Sequence, residues 1–301
     1  MSPVPDRADD HEHDLVTPQL LRGWRLPAPT GGKESRGRIL IVGGSAEVPG
    51  AVLLAAEAAM RAGAGKLQVA TAASVASILS VALPEALVRG LPETSSGALA
   101  ADGVDRLEDL VEGASAVLVG PGMTDVEEAR RLTDRLLPSL DCPVVLDALG
   151  IASVTADPGC LQRLAGRAVL TPNPSELALT LHRDQAEVDD DLAGAALELA
   201  RRTGVPVAVG GVTSWVASPG GSLWRDESGG AGLGVSGSGD VRAGVTAGLL
   251  ARGAEPEQAA VWAAHLHGRA GERLAAAVGG LGFLARELPA EIPRVLAELE
   301  I

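Results

Sequence analysis

From Gly37 onward, apolar runs of four to six residues alternate with stretches of helical periodicity. Runs this short and this free of polar residues suit strands covered on both faces. Strands that are separated by helices pair in parallel. The pattern predicts an α/β fold of three layers, αβα, around a mostly parallel central sheet. Predicted strands are RILIV (38–42), KLQVAT (66–71), AVLVG (116–120), PVVLDA (143–148), AVLTP (168–172) and PVAVGG (206–211). Helices are predicted over 51–64, 74–81, 124–137, 192–203, 240–252, 257–277 and 291–299, with another opening at Asn173. Thr124-x-x-Glu127 reads as a capping box, and Asn173 as an N-cap with Pro174 at the first helical position. Residues 214–217 and 221–224 read as a hairpin across Pro219-Gly220.

No composition break or internal repeat divides the chain, so residues 37–301 are expected to form a single domain. Residues 1–36 are polar and rich in Pro, Asp, Arg and Gly. They read as a flexible lead-in with a short amphipathic piece at Val16–Trp24. The acidic start lacks the apolar stretch of a signal peptide, and no run offers about 20 mostly apolar residues. The expectation is a cytoplasmic protein with no membrane partner.

Charge and residue usage exclude several function classes. Lys plus Arg number 25 against 39 Asp plus Glu, a net charge of −14, which argues against nucleic acid or an anionic membrane as partner. Aromatics are 2% of the chain, with no Tyr and one Phe, so no base-stacking platform can be assembled. Cys142 and Cys160 stand 18 apart, a spacing of neither a zinc pair nor a redox motif. His265 and His267 sit two apart in a helical pattern and do not share a face, so no metal site is predicted. A hydrolase triad and a P-loop are not expected, nor is a dinucleotide fingerprint.

In open parallel sheets ligands bind at the carboxyl ends of the strands. Gly43-Gly44-Ser45, Gly120-Pro121-Gly122, Asp147, Asn173 and Gly210-Gly211 all fall there. The sharpest pattern is GVSGSGDVRAGVTAGLLARG (234–253), where Gly237-Ser238-Gly239-Asp240 runs straight into a helix of small residues. Glycines at a helix start let several N–H groups point at one anion, aided by the helix dipole. Asp240 beside that anion could accept a proton from a hydroxyl attacking a phosphoryl group.

GRILIVGGS, PGAVLLAAEAAMRAGAGKLQVAT, VLVGPGM, VVLDAL, LTPNPSEL, SGSGDVRAGVTAGLLARG and HLHGRAGERLA occur in that order. Together they resemble the ADP-dependent NAD(P)H-hydrate dehydratase family of the ribokinase-like superfamily. These repair enzymes are related to the carboxyl-terminal part of bifunctional epimerase/dehydratase proteins. The resemblance covers the chain from about Gly37 to its end. It implies a lyase in which the terminal phosphoryl group of ADP, or ATP, is transferred to the ring hydroxyl of hydrated NADH or NADPH. The phosphate then leaves, pushed by the ring nitrogen's lone pair. Mg²⁺ and homo-oligomerisation, as a tetramer, come with the resemblance.

Carried over position by position, Ala51, Gly122, Asn173 and Asp240 fall on substrate-contacting positions, with Asp240 also the catalytic residue. Gly210, Gly211, Ser214, Gly237, Ser238 and Gly239 fall on the nucleotide side. Two departures stand out: Asn173 replaces the family's usual His, and Gly210 its usual Lys, removing a cation from a phosphate region. The alternatives are a ribokinase-like kinase of a vitamin-precursor alcohol and a non-catalytic nucleotide-binding relative.

Overall fold

The computed structural model describes residues 11–28, 31–211 and 213–300. Its strands are β1 (Asp14–Leu15), β2 (Arg38–Val42), β3 (Lys66–Ala72), β4 (Ala86–Leu91), β5 (Ala116–Val119), β6 (Val144–Leu146), β7 (Ala168–Leu170), β8 (Val207–Val209), β9 (Ser214–Ala217) and β10 (Leu223–Asp226). Its helices are α1 (Pro18–Gly23), α2 (Pro49–Arg61), α3 (Ala73–Ala82), α4 (Glu108–Glu112), α5 (Val126–Leu136), α6 (Ala152–Ala156), α7 (Pro174–Leu181), α8 (Gln185–Asp190), α9 (Leu192–Thr203), α10 (Ser238–Ala251), α11 (Pro256–Val278) and α12 (Leu288–Leu299).

The strands form one sheet in the order β1-β10-β9-β8-β7-β6-β5-β2-β3-β4. Only β9 runs against the rest, pairing antiparallel with β8 and β10. The chain steps outward from β2 through β3 to β4, then returns to β5 on the other side of β2. That reversal opens a crevice beyond the carboxyl ends of β2 and β5, where ligands of such sheets bind. The β2 run shows why it reads as continuously apolar. Leu40 and Val42 pack into one core layer and Ile39 and Ile41 into the other, and all four are fully buried.

α10 lies against α2 along a seam of small residues. A Cβ on Gly244 would overlap the Ala55 carbonyl oxygen, and one on Gly248 the Ala59 carbonyl oxygen. The helices therefore approach at backbone distance, and this fixes where the amino end of α10 meets the crevice. With few aromatics available, this close packing of Ala and Gly supplies dispersion contacts that large side chains would otherwise provide.

The lead-in reading is corrected over much of its length; residues 1–10 and 29–30 lie outside the described residues. β1 adds to β10 in parallel, pairing Asp14 with Trp224 and Leu15 with Arg225. In α1, Leu21 is fully buried. The Trp24 carbonyl accepts from Trp262 Nε1 at 2.9 Å and from Gln258 Nε2 at 3.1 Å. Low hydropathy hid this because only a few residues of the segment carry its docking. Thr17 caps α1, its hydroxyl accepting from the Leu20 N–H at 3.2 Å. Thr17→Ala is expected to lower the unfolding free energy by about 1 kcal/mol, read by urea titration. An unchanged midpoint would mean that α1 unfolds independently of the rest.

Local readings are sharpened elsewhere. Asp125, not Thr124, caps α5 by accepting from the Glu128 N–H at 2.9 Å. Glu128 Oε2 is taken by the Ala101 N–H at 2.6 Å, so no capping box forms. β4 escaped the sequence pattern because it is an edge strand with exposed Leu87 and half-buried neighbours. Both cysteines are free, and burial raises both thiols, that of Cys160 to about 12, so neither is a ready nucleophile.

Candidate functional site

Six of the ten residues singled out from sequence line one cavity of about 450 Å³: Asn173, Gly210, Gly211, Ser214, Ser238 and Gly239. That volume lies within the range of about 300–1,000 Å³ typical of small-molecule sites. The cavity sits beyond β7 and β8, closed by the amino end of α10 and by His267 and Gly268 of α11.

Ala51, Gly122, Gly237 and Asp240 lie outside its lining. Ala51 and Gly122 adjoin each other at the β2/β5 crevice, where a Cβ on Gly122 would stand 3.0 Å from Ala51 Cβ. The Gly44 N–H donates to the Pro121 carbonyl at 2.7 Å, joining the two strand ends there. Gly237 bridges the two regions. Its φ of +90° suits glycine, and a Cβ there would strike Leu54 of α2 at 2.5 Å and stand 3.8 Å from Asp240 Oδ2. Asp240 is thus on the turn that separates cavity from crevice.

Gly237 is the N-cap of α10, and no side chain caps that helix. Asp240 is therefore not spent on capping. The Ser238 N–H donates to the Val235 carbonyl at 3.1 Å. The N–H groups of Gly239 and Asp240 belong to the first turn and have no intrahelical acceptor, so they remain for an anion. The run 232–237 does carry the spacing GxGxxG. It begins inside a 3₁₀ turn at Ala231–Leu233, not after a strand, and Gly232 packs against Phe283, so the strand-to-helix context of a dinucleotide fingerprint is missing.

Asn173 caps α7 in the expected way. Its Oδ1 accepts from the Glu176 N–H at 2.9 Å, and Glu176 Oε2 accepts from the Asn173 N–H at 2.9 Å. With the oxygen engaged, the amide NH₂ is what Asn173 can offer the cavity.

Titratable groups around α10 are driven apart by burial. Asp147, at the end of β6, is pushed up to about 8 by burial and then by the charge of Asp240, although the Thr171 hydroxyl donates to it at 2.7 Å. Asp240 is raised to about 6 by burial and then by the charge of Glu176. Burial also raises Glu176. His267 is lowered to about 3 by burial and then by Arg242, and its Nε2 lies 2.9 Å from Ser238 Oγ. Near neutral pH this leaves Asp147 protonated, His267 uncharged and Asp240 ionised. Asp240 is then the best-placed proton acceptor of the three.

His265 turns elsewhere, its Nδ1 2.7 Å from Asp226 Oδ2, so the two histidines do not converge. Among the described residues, no group of three or more His, Cys, Asp or Glu side chains is arranged to hold a metal ion. Mg²⁺ fits in the manner of nucleotide sites, where phosphates and water supply most ligands and the protein one or two carboxylates. The charges of Asp240 and Glu176 raise Asp147, and that of Glu176 raises Asp240, so these three carboxylates lie near one another and are the ones available.

The space beside Gly210 is filled from another element. A Cβ on Gly210 would overlap Arg242 Nη1, so the guanidinium occupies the space beside the glycine. Arg242 is 7% exposed. Sequence reasoning passed over it, although it is the one charge between Asp240 and Arg252 in an otherwise apolar helix. Glu176 was likewise not singled out, since it reads as an ordinary helix residue, and His267 was weighed only as half of a metal pair with His265.

A family profile described as NAD(P)H-hydrate dehydratase matches residues 39–294. An ADP-dependent (S)-NAD(P)H-hydrate dehydratase of Xanthomonas campestris is 46% identical over 284 residues, covering 94% of this chain and 96% of its own length. A bifunctional NAD(P)H-hydrate repair enzyme of Moorella thermoacetica is 35% identical over 90% of this chain, which spans 51% of that relative. Among solved structures, the ADP/ATP-dependent NAD(P)H-hydrate dehydratase of Bacillus subtilis, co-crystallised with ATP and Mg²⁺, is similar with a TM-score of 0.81. It is 29% identical, with 96% of this chain and 99% of that chain covered.

Proposed function

The chain belongs to the NAD(P)H-hydrate dehydratase family, and on that premise we propose that it dehydrates (S)-NAD(P)H-hydrate to NAD(P)H with ADP as the phosphoryl donor. It is a hydro-lyase on a ribokinase-like fold. The observation that carries the mechanism is the position of Asp240, ionisable and uncapped, on the turn between the glycine-lined cavity and the β2/β5 crevice.

The nucleotide enters the cavity beside Gly210, Gly211 and Ser214, with its phosphates toward Gly237, Ser238 and Gly239. The hydrated ring enters the crevice at Ala51 and Gly122, within reach of the Asn173 amide. The Asp240 carboxylate accepts the proton of the ring hydroxyl as its oxygen attacks the terminal phosphorus, and the phosphorus–oxygen bond to AMP breaks. The carbon–oxygen bond then breaks, driven by the ring nitrogen's lone pair, phosphate departs, and loss of a ring proton restores the dihydropyridine. Backbone N–H groups of the first turn of α10 face the charge that develops on the transferring phosphoryl oxygens. Mg²⁺, when bound with the nucleotide, shares that charge.

The same reading makes residues 37–301 one catalytic domain that works in the cytoplasm as a homo-oligomer, a tetramer. No helix among the described residues is long and apolar enough to cross a membrane.

The test is direct. Purified protein with hydrated NADH or NADPH, Mg²⁺ and ADP is expected to regenerate the reduced-cofactor absorbance and release AMP and phosphate. No recovery with either ADP or ATP sinks the reading, and a stable phosphate ester as product replaces it with the kinase reading. Asp240 must be ionised to act as the acceptor, and burial raises it to about 6. A base with a raised pKa is lost as pH falls through that value. Activity (kcat/KM) is therefore expected to fall about tenfold per pH unit below roughly 6. A profile flat from pH 7 to pH 5 would remove Asp240 as the base.

A further inference from the structure

We infer that Arg242 is a phosphate-binding residue. Its guanidinium holds the nucleotide's phosphate chain in the cavity at the amino end of α10, and Gly210 is the residue that makes room for it. The inference rests on the nucleotide reading above and names a cation that no residue in that mechanism yet supplies.

Among the described residues that line the cavity, Arg242 is the one Lys or Arg. It is more than nine-tenths buried. Its Nε has no partner, and its Nη2 meets only the Thr171 and Pro172 carbonyl oxygens, at 3.5 and 3.4 Å. Both distances are at the long limit of hydrogen bonding. A guanidinium stays charged at any physiological pH. Held this deep with donors to spare, it carries a desolvation cost that an anion would offset.

The nearby carboxylates do not do so. Asp147 has its carboxyl pushed toward the neutral form, and Glu176 gives an oxygen to the Asn173 N–H. Asp147 and Glu176 lie near Arg242, yet neither forms an ion pair with it among the described residues. The planar fork of a guanidinium matches two phosphate oxygens at once. The free N–H groups of Gly239 and Asp240 belong to the same helix. Nothing but hydrogen stands at Gly210, and any side chain there would displace Nη1.

The alternative role is structural, in which Arg242 only ties the 171–172 loop to α10. Titration calorimetry with Mg-ADP, adenosine and inorganic pyrophosphate separates the two. Arg242→Gln is expected to weaken ADP binding by about 10–100-fold and leave adenosine binding nearly unchanged. Arg242→Lys is expected to recover part of the loss, since it returns charge without the fork.

Gly210→Ala keeps the arginine but pushes its guanidinium aside, and is expected to reduce the ADP-to-adenosine preference in the same direction. It carries the test if Arg242→Gln does not fold. Equal losses for ADP and adenosine in either variant, or no loss in both, overturn the inference. Wild-type protein that binds pyrophosphate through Arg242 but not ADP would sink the nucleotide reading and keep Arg242 as a phosphate-binding residue. Binding of neither removes both.

Discussion

Asp240→Asn is expected to lower kcat by about 10²–10⁴-fold while ADP still binds. Asparagine keeps the shape of the side chain and removes the proton acceptor. The other two shifted groups cannot take its place. Asp147 is raised first by burial, which the substitution leaves in place, so its neutral form stays favoured, and His267, lowered to about 3, is too weak a base. ADP affinity is expected to hold or rise, because a carboxylate beside a phosphate repels it and the amide does not. Single-turnover kinetics with calorimetry on the same preparation reads both quantities. Full turnover in the variant would refute the assigned role, and lost ADP binding would move Asp240 from chemistry to nucleotide recognition.

Gly244→Val is expected to lower the unfolding free energy by about 3 kcal/mol, the upper part of the usual range for overpacking. The usual relief, a rotamer change, does not apply. The first carbon of the new side chain would overlap the Ala55 carbonyl oxygen, so α10 and α2 must separate. Helix propensity opposes this weakly, since leaving glycine favours a helix by up to about 1 kcal/mol. The amino end of α10 carries Asp240, Gly237 and Gly239, so a shifted helix misplaces the reacting groups as well. The expected result is an earlier urea midpoint together with reduced kcat in the protein that remains folded. A midpoint equal to wild type would show that the seam can open without cost.

Apart from the edge strand β4 and the β1–α1 segment, the layered plan was legible because each buried strand announces itself locally. RILIV has no polar residue, so both of its faces meet a core, and only a covered parallel sheet offers that. β4 and β1 were not legible for the converse reason, nor was the docking of α1, although α1 itself falls within the amphipathic piece expected at Val16–Trp24. Exposed Leu87, and the few residues that dock α1, draw their stability from distant partners such as Trp262.

At the site, the glycine-rich loop, the Asn173 cap and Asp240 came from the sequence. Each depends on backbone geometry within a few residues: a positive φ, a first-turn N–H, a capping oxygen. Arg242 and the pKa order of Asp147, Asp240 and His267 did not. They depend on burial and on groups 24 to 95 positions apart that the fold brings together.

The sequence by itself thus determined the α/β plan through short-range periodicity and turn chemistry, and its ordered motifs carried the resemblance to the family and singled out Asp240 as the candidate for the chemistry. Tertiary structure alone decided which charge fills the space that Gly210 leaves and which carboxyl keeps its proton. Desolvation and Coulomb interactions act across space, and adjacency in the chain does not reveal them.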